Sequence, residues 1–151
     1  MQEDKFSTLK KLLIAFIVIA TIGFIDASYL TIVHFLGQAP ECSILEGCDV
    51  VTSSKYSTIG PIPVALLGAL YYLTVAIASI FALDRRSVAA TRLVSNLTWL
   101  GLLASIYFVY LQLFVLKSIC IYCMGSALGS TVLFILGMIL LKRTKVIGYR
   151  L

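Results

Sequence analysis

The sequence predicts an all-α membrane protein, a bundle of four transmembrane helices, and three observations lead to that fold class. Of the 151 residues, 60% are hydrophobic and only 13% are charged, whereas soluble domains carry about 25% charged residues. Four long stretches hold at most one charged residue each, and all exceed the roughly 20 residues that a helix needs to cross a bilayer. These runs are continuous and do not alternate, which favours helices over the strands of a closed barrel.

The four stretches predict helices near residues 11–36, 62–83, 93–117 and 119–141. We expect them to form a single domain over residues 1–151. The first run is too long for a signal peptide and ends without a small-residue cleavage site, so it is predicted to remain as a span. Pro61 and Pro63 open the second helix, where a missing backbone amide costs nothing. The preceding VVTSSKYST is predicted to form a short helix over the outer face.

The basic residues predict how the bundle is oriented. Ten of the twelve lie on one side of the predicted spans: Lys5, Lys10, Lys11, Arg85, Arg86, Arg92, Lys142, Arg143, Lys145 and Arg150. Only Lys55 and Lys117 remain for the other side. The positive-inside rule therefore predicts that both termini are cytoplasmic in a multi-pass protein of the cell membrane. The membrane orientation accounts for the excess of basic residues and the net charge of +5. The sequence contains no pattern typical of nucleic-acid binding.

All four cysteines fall in two short polar breaks of the chain. Cys42 and Cys48 lie in the loop after the first helix, and Cys120 and Cys123 lie where the third and fourth helices meet. The predicted topology puts both breaks on the extracytoplasmic (periplasmic) side, where thiols tend to oxidise. Four cysteines allow three pairings. The two local pairs are the obvious ones.

The pair Cys120 and Cys123 has the spacing of a redox-active site. The two residues are at i and i+3 on one face of the first turn of the predicted fourth helix, with Ser118 as its expected N-cap. The unpaired amides and the positive dipole end of that turn stabilise a thiolate. A disulfide across two residues closes too small a loop to add much stability. Its expected use is therefore chemistry.

Two other interpretations of the cysteines stay open. Cys42 and Cys48 alone would be read as a structural staple of the loop. All four cysteines together would suit a zinc site, but no histidine lies beside them and outer thiols oxidise, so we expect no metal. A thiolate of one pair is able to attack a disulfide of the other. The chain has no haem or flavin motif, so a lipid-soluble quinone is the expected electron acceptor.

Several stretches of the chain together resemble one known family. They are DASYLTIVHF, ECSILEGCDVVTSSKYS, GPIPVALLGALYY and SIYFVYLQLFVLKSICIYC. In this order they resemble the vitamin K epoxide reductase family, in its prokaryotic branch of disulfide-forming membrane enzymes. The resemblance runs from about residue 23 to residue 141.

The resemblance implies a role for each cysteine. Cys120 and Cys123 resemble the active-site pair, in which Cys123 faces the quinone and Cys120 exchanges with the loop. Cys48 resembles the loop cysteine that attacks the helix pair. Cys42 is expected to exchange with an external thiol protein. Prokaryotic members often carry a fused thioredoxin-like domain, whereas this chain is expected to have none, so the implied partner is a separate periplasmic thioredoxin-fold oxidant.

The resemblance also implies a quinone pocket. Ser54 resembles a residue that lines it, and Tyr56 is expected close by. Mammalian members carry an asparagine near the start of the second helix, where Val64 stands here, and a tyrosine one turn after the Cys-x-x-Cys, where Ala127 stands here. These departures weaken the case for epoxide reduction and favour a simpler quinone of the ubiquinone or menaquinone type.

Polar residues inside the spans complete the list of expected site residues. Gln112 and Leu116 precede Cys120 by eight and four residues, so they are predicted to line the pocket below it. Asp26 is expected to hydrogen-bond a neighbouring helix, with a proton route as the alternative. His34 is expected near the outer interface. Four tyrosines lie too deep for a simple aromatic belt: Tyr71, Tyr72, Tyr107 and Tyr110.

These observations predict a thiol:quinone oxidoreductase. It would pass two electrons from the thioredoxin-fold carrier through the loop pair and the helix pair to a membrane quinone, and so support disulfide-bond formation. One alternative is a quinone or vitamin K epoxide reductase in which the reduced quinone is the product, since partner potentials set the direction. Alternatives of other classes are a structural four-helix protein with a stapled loop and a metal-binding membrane protein.

Overall fold

A computed structural model describes the backbone of residues 2–42 and 47–148, and the side chains of residues 7–42 and 47–144. The elements follow in the order α1 (Gln2–Phe35), α2 (Cys48–Ser53), β1 (Thr58–Ile59), β2 (Ile62–Pro63), α3 (Val64–Arg85), α4 (Val88–Tyr110), a π-helical segment (Leu111–Leu116) and α5 (Ile121–Gly148). Helices dominate the described part of the chain, and the two short strands pair as an antiparallel hairpin.

Four helical spans are long and apolar enough to cross a membrane. They are Ser7–Phe35, Val64–Arg85, Val88–Leu116 and Ile121–Thr144. Large apolar side chains such as Ile22 and Leu100 point outward and are mostly exposed, which is the arrangement expected of a surface solvated by lipid. The structure therefore confirms the predicted all-α bundle of four transmembrane helices in a multi-pass membrane protein.

The helix boundaries differ from the predicted ones for local reasons. The third span begins at Val88 and not near 93, because the Ser87 hydroxyl accepts a hydrogen bond from the Ala90 amide at 3.3 Å and caps the helix. The second span was predicted from residue 62, but Ile62 belongs to β2 and pairs with Ile59. The turn between these strands contains Gly60, whose φ is +61°.

The short outer helix forms earlier in the chain than predicted. α2 begins at Cys48 and ends before Ser54, whose backbone is extended. Within it the Thr52 hydroxyl donates to the Cys48 carbonyl at 2.7 Å. A further turn follows, in which the Ser57 amide donates to the Ser54 carbonyl at 3.0 Å. The predicted segment 50–58 is thus half helix and half turn.

Glycines allow the helices to approach one another closely. A Cβ atom on Gly23 would lie 2.5 Å from the ring of Tyr72, and one on Gly68 would lie 3.7 Å from the Cβ of Ala27. These contacts set α1 antiparallel to α3 with a defined register. Gly101 on α4 makes room for Tyr71 in the same way.

Tyr72 is the largest side chain that is fully buried in the bundle. Its hydroxyl donates to the Ser126 carbonyl of α5 at 2.6 Å and lies 2.9 Å from the Ser130 hydroxyl. A buried phenol needs such partners because lipid offers none. Tyr72 therefore joins α3 to α5 while its ring packs on α1.

The first prediction concerns the contact between Gly23 and Tyr72. Gly23→Ala places a methyl group against a ring that hydrogen bonds hold in place, so the free energy of unfolding should fall by about 1–3 kcal/mol. Thermal unfolding in detergent measures the change. Gly125→Ala is the matched control, because a Cβ there meets nothing within 4 Å. Equal stability of the two variants would contradict this packing.

Candidate active site

The four cysteines form one disulfide and one dithiol. Cys42 and Cys48 are joined, with their Cα atoms 6.1 Å apart, whereas Cys120 and Cys123 are free. Cys48 is 1% exposed and Cys120 is 0% exposed. Cys42 and Cys123 are half-buried. Each pair therefore has one buried and one more accessible sulfur.

The disulfide loop lies directly on the Cys-x-x-Cys turn. A Cβ atom on Gly47 would be 2.8 Å from the backbone nitrogen and oxygen of Ile119. On the other side, the Tyr122 hydroxyl donates to the Glu41 carbonyl at 3.2 Å. Both contacts are made by residues next to cysteines. The loop pair and the helix pair are consequently neighbours at one end of the bundle.

Cys120 lies immediately before the fourth span and α5, both of which begin at Ile121. The Met124 amide donates to the Cys120 carbonyl at 2.9 Å, which makes Cys120 the residue that opens the helix. The expectation that Ser118 is the N-cap is wrong, because α5 begins at Ile121. The thiol of Cys120 thus sits at the amide end of a helix of 28 residues, where negative charge is favoured.

Gln112 holds the turn that carries Cys120. The third span ends in a π-helical segment, a widened turn that is frequent at functional sites. Lys117 then takes a left-handed conformation with a φ of +50°, and the backbone carbonyl of Gln112 accepts from the Ser118 amide at 3.1 Å. The side-chain oxygen of Gln112 accepts from the Cys120 amide at 2.9 Å. One buried glutamine therefore accepts hydrogen bonds from two backbone amides in the connection between the third and fourth spans.

The surroundings of Cys120 favour its thiolate. A hydrogen bond from the Cys123 thiol lowers the pKa of Cys120 to about 7. Burial acts in the opposite direction, and the amides of Cys123 and Tyr122 add to the lowering. The two thiols are therefore unequal, and the thiolate is favoured at Cys120.

A cavity of about 620 Å³ opens below the cysteines. Its wall is mostly apolar, and α2 with the hairpin forms the end nearest the loop. Cys123 lines this cavity, and all six residues expected to line the pocket are in its wall: Ser54, Tyr56, Val64, Gln112, Leu116 and Ala127. Cys120 is not part of the wall, so the two sulfurs of the dithiol face different surroundings.

Asp26 and His34 also line the cavity. The expected hydrogen bond from Asp26 to a neighbouring helix is not made by its Oδ2 atom, which is buried without a partner. In the register of α1 against α3 the facing residues are Gly68 and Ala69, whose side chains carry no polar atom. The interpretation of Asp26 as a helix-pairing residue is wrong for this oxygen.

Tyr71 is a wall residue that sequence reasoning did not assign to the pocket. Its hydroxyl is buried and unpaired, and its ring packs edge-on against Tyr72 at 5.2 Å. The signal for it was its depth in the span, too far from either interface for an aromatic belt. Tyr107 and Tyr110 shared that signal but are 54% exposed on α4.

The family comparison agrees with this geometry. The family model described as "Vitamin K epoxide reductase family" matches residues 14–138. The chain belongs to the vitamin K epoxide reductase family. No curated protein matches the chain.

Members of the family are membrane oxidoreductases that act with quinone or vitamin K type compounds. The cavity suits such a ligand, because a quinone is a flat apolar ring with two oxygen acceptors, and this apolar wall contains two unpaired polar atoms. In the described part of the chain, no three His, Cys, Asp or Glu side chains come together as a metal site requires.

The second prediction tests the hydrogen bond between the two thiols. Cys123→Ala removes the main donor to Cys120, so the Cys120 thiolate should form at a higher pH than in the parent protein. The pH dependence of iodoacetamide labelling, read by mass spectrometry, measures the midpoint. Both proteins carry Cys42→Ser and Cys48→Ser so that no loop thiol reacts, and mass spectrometry separates labelling of Cys120 from labelling of Cys123.

Leu128→Ala is the control for this measurement, since Leu128 lies on the same helix and is 66% exposed. Its labelling midpoint should stay at about pH 7. A Cys123→Ala midpoint at or below the parent value would show that another group lowers the pKa.

Proposed function

We propose that the protein is a thiol:quinone oxidoreductase that reoxidises a thioredoxin-fold disulfide carrier and so supports disulfide-bond formation. One observation carries the proposal. A disulfide loop packs on a free dithiol, and one sulfur of that dithiol lines a large apolar cavity. A structural staple needs neither the dithiol nor the cavity.

The exchange with the partner begins at Cys42. Of the loop sulfurs, Cys42 is the half-buried one and Cys48 is enclosed, so a protein thiolate reaches Cys42. Its attack forms a mixed disulfide and releases the Cys48 thiolate. The second thiol of the partner then displaces Cys42, and the partner leaves oxidised with its two electrons left on the loop pair.

The internal exchange runs between Cys48 and Cys120. Gly47 and Ile119, their chain neighbours, are in backbone contact. The Cys48 thiolate attacks Cys120 of an oxidised helix pair and expels Cys123. Cys42 then displaces Cys120, which restores the loop disulfide and leaves the helix pair as a dithiol. The combination of a closed loop pair and an open helix pair corresponds to the stage that follows this exchange.

The last transfer takes place at the cavity. The helix pair loses two electrons and two protons as its disulfide forms, and a quinone supplies the acceptor by taking up both to become a quinol. Cys123 is placed for this step because it lines the cavity. The apolar side chains of Val64, Leu116 and Ala127 provide packing surface for the ring.

The wall favours a simple quinone of the ubiquinone or menaquinone type over an epoxide substrate. Val64 and Ala127 occupy the positions at which mammalian relatives place an asparagine and a tyrosine, and neither side chain forms a hydrogen bond. The hydroxyl of Ser54 already donates to the Val51 carbonyl at 2.8 Å. These residues therefore contribute shape to the site and no free donor.

The positive-inside distribution supports an extracytoplasmic site. The cytoplasmic side takes ten of the twelve basic residues, and the end of the bundle that carries the cysteines is the opposite one. The partner proposed here is accordingly an extracytoplasmic thioredoxin-fold protein.

The third prediction tests the electron path. Cys120→Ala and Cys123→Ala should abolish quinone reduction by any thiol, because the one remaining cysteine cannot form the disulfide that releases two electrons. Cys42→Ala and Cys48→Ala should abolish it with a reduced thioredoxin-fold protein but retain it with dithiothreitol, a small thiol that reaches the helix pair directly. Quinone absorbance in purified protein follows each rate.

The reference for this series is the wild-type protein, assayed with the reduced thioredoxin-fold protein and with dithiothreitol. A structural staple would instead give four variants with altered thermal stability and no thiol-dependent quinone reduction at all. That outcome would end the proposal, whatever the family.

The fourth prediction concerns the contact that joins the two pairs. Gly47→Ala pushes a methyl group against the Ile119 backbone, which moves Cys48 away from Cys120. Turnover with the protein partner should fall at least about tenfold, since small misplacements have large kinetic effects. Turnover with dithiothreitol is the internal control and should change little. An equal loss with both thiols would mean that the whole site had moved.

A further inference from the structure

Two buried polar atoms in the cavity wall have no hydrogen-bond partner. Within residues 7–42 and 47–144, Asp26 Oδ2 and Tyr71 Oη are the only buried side-chain nitrogen or oxygen atoms without a hydrogen-bond partner. Both residues line the same cavity. Buried polar groups in proteins are nearly always satisfied. Two exceptions that share one cavity indicate a ligand that satisfies both.

Most other hydroxyls of the wall already donate a hydrogen bond; those of Tyr56 and Ser105 do not, but neither residue is buried. Several of the donors give their protons to backbone carbonyls of this chain: Thr52 to Cys48, Ser54 to Val51, Ser57 to Ser54, Tyr72 to Ser126 and Thr74 to Leu70. Quinone oxygens only accept hydrogen bonds. A quinone in the cavity therefore needs donors that the protein has not already used.

The register of α1 against α3 puts the two unpaired groups at similar depth. Gly23 faces Tyr72, and Ala27 faces Gly68, so Asp26 lies opposite position 69. Tyr71 is two residues further along α3, about 3 Å at the helical rise of about 1.5 Å per residue. The offset between the two residues along the bundle axis is therefore shorter than one quinone ring.

Asp26 also lies close to the dithiol. It borders a second crevice of about 190 Å³ between α1 and α5, which Tyr72 and Ser126 line as well. Ser126 is three residues after Cys123, roughly one helical turn. The carboxyl therefore borders the same crevice as a residue that lies one turn after Cys123.

A carboxyl in this setting is a proton donor. No ion pair to Asp26 is present among the described residues, and a bare carboxylate inside a bilayer is costly. The group is consequently held as a neutral acid, which carries one O–H donor. Tyr71 carries another.

Resting on the function proposed above, we propose that Tyr71 and Asp26 donate hydrogen bonds to the quinone oxygens and that Asp26 is the acid that protonates the quinone. The dithiol supplies two electrons as the bond between Cys120 and Cys123 forms. Asp26 gives a proton to one oxygen and takes one back from the Cys123 thiol, and the proton of the Cys120 thiol, the second one of the dithiol, goes to the other oxygen. The carboxyl ends as it began, and the quinol leaves with two protons and two electrons.

Asp26→Asn and Tyr71→Phe separate the two roles. Asparagine still donates a hydrogen bond but delivers no proton, so the Kd for quinone should change less than about threefold while kcat falls at least about 100-fold. Phenylalanine removes one hydrogen bond, so Kd should rise about three- to tenfold with kcat nearly kept. The probes are menadione and a ubiquinone carrying one isoprenoid unit, with binding read from Trp99 fluorescence.

A second readout does not depend on turnover. Infrared difference spectra should show the C=O band of a protonated carboxyl that shifts when menadione binds the wild-type protein and is absent in Asp26→Asn. Dithiothreitol reduction of the Cys42–Cys48 disulfide should keep its rate in both variants. The matched controls are Asp84→Asn, an exposed acid at the other end of α3, and Tyr107→Phe, an exposed tyrosine outside the wall.

The outcomes separate this inference from the proposed function. If the wild-type protein reduces quinone and Asp26→Asn does so within about threefold of its rate, Asp26 is not the acid while the proposed function stands. If Asp26→Asn loses binding and the wild-type spectrum has no carboxyl band that responds to menadione, Asp26 is structural and the inference fails. A wild-type protein that reduces no quinone overturns the proposed function itself.

Discussion

The bond between the Gln112 side chain and the Cys120 amide is the interaction on which the site depends. Between the third and fourth spans the chain must turn close to lipid, where an unsatisfied backbone group has no water to bind. Gln112 meets this need with two oxygens, one from its backbone and one from its side chain. The result is a tight connection that places Cys120 at the amide end of α5 and leaves Cys123 one turn inside, facing the cavity.

The need to pair buried polar groups within the protein also determines the character of the cavity below. Its hydroxyl side chains largely bond to carbonyls within one helical turn, as Thr52 and Ser57 do, and Tyr72 is used to join α3 to α5. What remains is an apolar volume in which very few groups are able to recognise a polar atom. Specificity toward a ligand then depends on those few, which is why the positions of Asp26 and Tyr71 matter more than the number of residues in the wall.

Much of the fold was predictable from charge alone, whereas the site was predictable only in part. Four stretches almost without charged residues predicted the four spans, because a charge at membrane depth is costly and is therefore rare there. Helix ends were less predictable. Ile62 joined a hairpin and Ile121 opened α5, since turn geometry and the π-helical segment depend on contacts between distant residues.

Spacing along one helix also predicted Gln112 and Leu116 as neighbours of Cys120, and the structure puts both in the cavity wall. Spacing along one helix could not predict that Tyr71 lines the cavity or that Asp26 is unpaired, because each depends on how α3 is rotated against α1. That rotation is set by Gly23 and Gly68, which look like ordinary small residues in the sequence. The burial of the sulfurs also depends on packing: Cys48 and Cys120 are buried, whereas Cys42 is half-buried and Cys123 lines the cavity. In the proposed cycle a protein partner therefore engages the loop pair first, and only a small thiol such as dithiothreitol reaches the helix pair directly.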